Sequence, residues 1–167
     1  MVLTSAADPL YVRWRNELAR SGCLVIGVEF RNAAGQLGDH PFPAGLNDCA
    51  SALQWANAKR TALGVSNLLI SGESGGGNLA LATVLKAKYD GWIEQVDGVF
   101  ALCPDISCKY LDAEPQLLSL KENEGYIVDT SYLGPLLSRV YDPTGENARN
   151  PLAWPYYTEP SNLAGLP

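Results

Sequence analysis

The residues best suited to covalent chemistry stand together at Ser71-Gly72-Glu73-Ser74-Gly75-Gly76-Gly77-Asn78. They contain G-x-S-x-G, the pattern that holds a serine on a strained turn between a strand and a helix. Glycine is expected at 72 and 76 because a Cβ two residues to either side of Ser74 would collide with neighbouring backbone. Such a turn lifts the Ser74 hydroxyl above the sheet and places it at a helix N-terminus. There unpaired amides, above all that of Gly75, can donate hydrogen bonds to an oxyanion. The chemistry this permits is nucleophilic acyl transfer, in which the hydroxyl attacks a carbonyl and keeps the acyl group as a covalent intermediate. Glu73 adjoins the nucleophile, but neighbouring side chains on a tight turn point apart, so it is expected to brace the elbow through hydrogen bonds.

Two phosphate-binding readings of the same loop fail on single residues. A dinucleotide fingerprint beginning at Gly72 needs glycine where Ser74 stands, and a P-loop needs lysine where Asn78 follows Gly77.

The flanking pattern supplies the elements a serine elbow requires. Asp8-Pro9 opens a helix expected over 9–20, with Asp8 as its cap, Leu10, Trp14 and Leu18 on one face and Gly22 as its stop. Residues 23–30 form a nearly continuous apolar run of strand length, as expected of a strand covered on both faces. Leu46, Cys49, Ala50, Leu53 and Ala56 recur at helical spacing, predicting a helix over 46–63 that Gly64 ends. A second strand is expected over 65–71, a helix over 75–89 and a third strand over 96–103. The alternation predicts an α/β fold with a parallel sheet and flanking helices. After Pro104 the periodicity weakens, and 105–150 is read as a helical excursion over the sheet within a single partial domain spanning 1–167. The aromatic residues from Tyr110 to Tyr157 could line a pocket or fill the core.

Composition narrows the class of function. The chain has 167 residues and a formal charge of −6, with 12 Lys and Arg against 18 Asp and Glu. No basic run is present to hold nucleic-acid phosphates. No stretch reaches the roughly 20 apolar residues of a membrane span, and charges at Asp8, Arg13, Arg15, Glu17 and Arg20 interrupt the region where a signal peptide would be apolar. A cytoplasmic protein is therefore expected. Cys23, Cys49, Cys103 and Cys108 are dispersed and His40 is the single histidine, a poor basis for a zinc site. The four thiols are expected to be reduced and mostly buried.

Gly72-Glu73-Ser74-Gly75-Gly76-Gly77-Asn78 resembles the G-[DE]-S-x-G-G-N elbow of the hormone-sensitive-lipase family of esterases. Phe42-Pro43-Ala44, with Asp48 following, is similar to the F-P-A-x-x-x-D segment that this family carries upstream of its nucleophile. The likeness extends to Glu29-Phe30-Arg31-Asn32-Ala33, Glu122-Asn123-Glu124-Gly125-Tyr126, Tyr141-Asp142-Pro143-Thr144-Gly145-Glu146 and Ala153-Trp154-Pro155-Tyr156. The resemblance implies an α/β-hydrolase fold that hydrolyses small carboxylic esters without metal or organic cofactor. Ser74 would be the nucleophile, the Gly75 amide an oxyanion donor, and Gly72, Glu73 and Gly76 the rest of the elbow.

Three family parts find no match in this sequence: the H-G-G-G oxyanion loop, the acid of a D-P-L-x-D-E-G segment, and the late catalytic histidine. His40 precedes the nucleophile, whereas the hydrolase order is Ser, acid, His, so it is expected to be a loop histidine. Asp105 is placed where an acid could serve a histidine but is expected to pack at the surface or against a cap. Asp48 is expected to sit at a helix N-terminus, stabilised by the helix dipole. A three-stranded sheet would also leave two apolar edges open to self-association. The sequence is accordingly expected to be part of a longer esterase, weak or inactive by itself. The alternative is a non-catalytic small-molecule or protein binding module on the same scaffold.

Overall fold

A computed structural model of the chain describes residues 1–110, 118–127, 129 and 131–167. The first helix, α1 (Pro9–Arg20), has the predicted bounds, with Pro at its first turn. Gly22 ends it at φ +96°, a left-handed conformation costly for any residue with a Cβ. Asp8 does not cap it, however. Its carboxylate accepts from the Ser5 N–H at 3.1 Å while its own N–H donates to the Ser5 carbonyl at 3.1 Å, so the side chain is occupied by the preceding turn. No residue of α1 is buried.

Residues 23–30 depart from expectation. They take no regular strand structure, and no backbone–backbone hydrogen bond among the described residues involves them. An apolar run becomes a strand only when a neighbour supplies the ladder, and neither strand of the sheet does so here. Val28 and Phe30 still pack on the core, whereas Leu24 and Ile26 stay exposed.

The sheet is formed by β1 (Leu69–Glu73) and β2 (Gly98–Leu102), paired parallel from Leu69 opposite Gly98 to Glu73 opposite Leu102. The strand expected over 65–71 therefore begins later and runs up to the serine. Side chains hold the segment before it: the Leu68 N–H donates to Asp97 Oδ2 at 2.7 Å. Arg60 donates to the carbonyls of Ser66 and Gln95, each at 2.7 Å, and pairs with Asp97 at 2.8 Å. The Arg60 guanidinium thus fixes the start of both strands.

The helix expected over 46–63 divides into α2 (Ala44–Ala58) and α3 (Arg60–Leu63), and Gly64 closes the latter at φ +67°. Between the strands runs α4 (Gly75–Tyr89), with the predicted bounds. It packs on both strands and on α2. Leu79 and Ala82 join Leu46, Cys49, Tyr141 and Trp154 in one buried cluster, while Val84 and Ala87 join Leu53 and Val96 in a second. Burial of so many α4 side chains supplies most of what holds this helix in place.

Within the expected excursion the structure places α5 (Leu118–Glu122) and α6 (Leu133–Tyr141). Residues 111–117, 128 and 130 of that excursion lie outside the described residues. Tyr141 ends α6 in the core, edge-on to both Phe42 at 5.8 Å and Trp154 at 5.4 Å between ring centroids. Several of the mid-chain aromatics thus serve packing. The last 20 residues contain only short 3₁₀ turns, Pro155–Tyr157 and Pro160–Asn162. Lys88 Nζ holds this segment against α4 by donating to the carbonyls of Asn162 at 2.8 Å and Ala164 at 2.6 Å. Among the described residues no helix is long and apolar enough to cross a membrane.

Candidate active site

Ser74 lies between the last residue of β1 and the first of α4, exposed, with φ 51° and ψ −117°. A serine held there stores roughly 1–3 kcal/mol of backbone strain, which persists only where surrounding bonds over-determine it. Those bonds are present. The Ser74 N–H donates to the Leu102 carbonyl at 2.9 Å. The Ser74 carbonyl accepts from Asn78 N–H at 3.0 Å and from Asp105 N–H at 3.1 Å.

Gly72 shows why the elbow excludes side chains. A Cβ there would stand 2.1 Å from the Gly76 carbonyl oxygen. The expectation of a second collision at Gly76 is not met, since a Cβ at Gly76 meets nothing within 4 Å. The close approach runs one way: the Gly76 backbone is the obstacle that residue 72 must avoid. Gly77 is the tighter of the two on the helix side, because a Cβ there would lie 3.0–3.1 Å from Pro104 atoms and 3.2 Å from the Gly72 carbonyl oxygen.

Gly75 opens α4, so its N–H has no acceptor one turn earlier and adds to the positive end of the helix dipole. Buried Met1 lies beside it, its Cβ 2.6 Å from where a Gly75 Cβ would be. Glu73 does not brace the elbow as expected, for its carboxylate makes no hydrogen bond among the described residues. It instead acts at longer range on Tyr11, whose hydroxyl is pushed up by burial first and by Glu73 next.

Two residues support the site more than their sequence positions suggest. Asn78, fully buried in the first turns of α4, donates from Nδ2 to the carbonyls of Asp105 at 2.7 Å and Ala153 at 2.9 Å. A polar residue beside Leu79, Ala80 and Leu81 is the sequence signal for this role. Asp105 follows β2 after Cys103 turns the chain at φ 37°. It is half-buried: its carboxylate accepts from the Tyr110 hydroxyl, and burial raises its pKa, with the Tyr110 bond acting the other way. Burial and the same contact push the Tyr110 hydroxyl strongly upward.

The structure keeps His40 away from this cluster. It lines a cleft with Glu29, Phe30, Arg31, Gln36, Leu37, Gly38 and Asp48, without Ser74. Asp48, expected to lean on the helix dipole, instead grips Arg31, accepting from its backbone N–H at 2.9 Å and from Nε and Nη2 at 3.0 and 2.9 Å. That contact holds the Asp48 carboxyl below its ordinary range. The thiols divide as well: Cys49 is buried, Cys108 half-buried, and Cys23 and Cys103 are exposed, contrary to the expectation of mostly buried cysteines.

With the strand, the strained serine and the helix in place, residues 2–167 match the family model for the alpha/beta hydrolase fold. The chain belongs to the α/β-hydrolase family. Brefeldin A esterase, a bacterial homologue of human hormone-sensitive lipase, superposes with a TM-score of 0.93 at 43% identity, covering 99% of this chain and 47% of that one. The arylesterase of Saccharolobus solfataricus is 30% identical over 147 residues, 87% of this chain and 44% of its own length. Human hormone-sensitive lipase is 29% identical over 117 residues, 69% of this chain and 10% of its own. These relatives place this α/β-hydrolase chain in the hormone-sensitive-lipase branch. It spans less than half the length of each of them.

Proposed function

We propose that this chain carries the nucleophilic segment of a serine carboxylester hydrolase acting on small-molecule esters. The supporting observation is the conformation of Ser74, exposed at φ 51° and ψ −117° between β1 and α4. In this reading Ser74 Oγ attacks the ester carbonyl and the Gly75 N–H donates to the resulting oxyanion. Collapse of the tetrahedral intermediate expels the alcohol and leaves an acyl group on Ser74, and water then releases the acid. Gly72 lets the backbone of Gly76 approach closely at the elbow. No metal or organic cofactor enters these steps, and a cytoplasmic location belongs to the same reading.

Attack requires a base to take the hydroxyl proton, and His40 is held in another cleft. Ester turnover by the chain alone is therefore expected to be very low, because a positioned general base contributes about 10²–10⁴-fold. A p-nitrophenyl acetate assay of the chain and its Ser74→Ala variant tests this. Slow release abolished by the substitution supports the reading, and release that ignores the substitution contradicts it. The placement of His40 also favours the second reading, a non-catalytic binding module. That reading predicts saturable ester binding with no covalent Ser74 adduct at any time.

A further inference from the structure

A second cleft, of about 460 Å³, opens between α6, the turn at 142–149 and the segment around Trp154. Its size falls within the range that holds small organic molecules. Ser74 does not line it, so a ligand here would be independent of the esterase reading.

The charge around this cleft runs against the charge of the chain. The protein carries −6 overall, with 18 acidic residues against 12 basic ones. Yet the cleft gathers Lys109, Arg139 and Arg149 around one carboxylate, Asp142. That carboxylate is already engaged, accepting from the Asn147 N–H at 2.9 Å and from Asn147 Nδ2 at 3.2 Å. Arg139 and Arg149, both exposed, have no ion pair or hydrogen bond among the described residues. Two guanidinium groups near one cleft, with no acidic partner of their own, match the planar acceptors of a carboxylate or phosphate.

The floor of the cleft is aromatic. Trp154 lines the cleft and is fully buried, and its indole Nε1 has no hydrogen-bond partner. The walls also offer an apolar surface, since Pro143, Ala148 and Tyr157 line the cavity.

We propose that this cleft is a binding site for a small organic anion, a carboxylate or phosphate group carried on a compact apolar body. Arg139 and Arg149 bind the anionic end, and the body lies against the apolar walls.

Isothermal titration calorimetry of the full chain with phenyl phosphate and benzoate tests this, with phenol and inorganic phosphate as controls for each half of the ligand. The expected result is saturable one-to-one binding of phenyl phosphate. Arg139→Ala and Arg149→Ala should each weaken it about tenfold or more, and raising NaCl to about 0.5 M should weaken it further. Ser74→Ala should bind as the wild type does. Both arginines are exposed, and circular dichroism reports whether each variant folds. The salt dependence of the wild type, with the indole N–H resonance of Trp154 assigned through Trp154→Phe, gives a readout that needs no arginine variant. Absence of saturable phenyl phosphate binding, wild-type affinity in both arginine variants, or phenol or inorganic phosphate binding as tightly as phenyl phosphate would each overturn the proposal.

Discussion

The backbone N–H of Asp105 donates to the carbonyl of Ser74 at 3.1 Å, so the residue after β2 helps hold the strained serine after β1. Parallel pairing brings the C-terminal ends of both strands to the same edge, which is the reason two residues so far apart in the chain can share this bond. The elbow is therefore a property of both strands, and disturbance of the segment after β2 should be felt at the serine.

The two elbow glycines should respond differently to alanine. A Cβ at 72 would stand 2.1 Å from the Gly76 carbonyl oxygen, whereas one at 76 meets open space. Gly72→Ala is expected to destabilise by more than about 3 kcal/mol, as overpacking against backbone does. Gly76→Ala should be neutral or stabilising by up to about 1 kcal/mol, because it lies in the first turn of α4 without a positive φ. Urea denaturation of the two variants beside the wild type compares them.

Asn78 is the internal tie of the site. Its Nδ2 serves the carbonyls of Asp105 and Ala153 from a fully buried position. Asn78→Ala should cost about 2–4 kcal/mol, since two carbonyls lose their donor at once. Asn78→Asp should not rescue it, because a carboxylate cannot donate to a carbonyl. Equal midpoints for wild type and Asn78→Ala in chemical denaturation would show that the tie contributes nothing.

The Asp105 carboxyl is raised above 3.8, first by burial, with the Tyr110 hydrogen bond partly opposing. Folding thus favours the protonated acid. Its contribution to stability is fully present below the unfolded value and is lost as pH rises through the folded one. Asp105→Asn, which keeps an acceptor for Tyr110 and carries no charge, should be more stable than the wild type at pH 7. The difference should shrink as pH falls towards about 4 and be gone below it. Denaturation curves across that range measure the sign directly.

Thiol reactivity should follow the burial of the four cysteines. Burial pushes the Cys49 thiol up to about 12, leaving almost no thiolate at neutral pH. Cys23 and Cys103 are exposed and Cys108 half-buried. Ellman's reagent on the native chain should titrate two thiols rapidly, Cys108 more slowly, and Cys49 at a rate set by unfolding. Rapid loss of Cys49 would contradict the packing of α2 against α4.

The bounds of α1 and α4 are legible in the sequence because their start and stop signals are local: Pro9 and Gly22 for one, the glycine-rich elbow for the other. The α/β character and the serine turn are legible for the same reason. Residues 23–30 mislead because an apolar run shows only what a sheet could bury, while a strand also needs a paired neighbour, which no local pattern contains. Glu73 and Asp48 mislead alike. What a carboxylate touches depends on partners such as Arg31 and Tyr110 that folding brings to it. Asn78 stands within the motif itself, but its two acceptors lie 27 and 75 residues away.

The central claim is that Ser74, strained and exposed at the elbow, is the residue that takes an acyl or phosphonyl group. Incubation of the chain with a fluorophosphonate, followed by peptide mass spectrometry, tests it most directly. The predicted result is a slow, single adduct on the peptide containing Ser74, absent from Ser74→Ala. An adduct confined to other residues, or labelling that proceeds equally in Ser74→Ala, would contradict it.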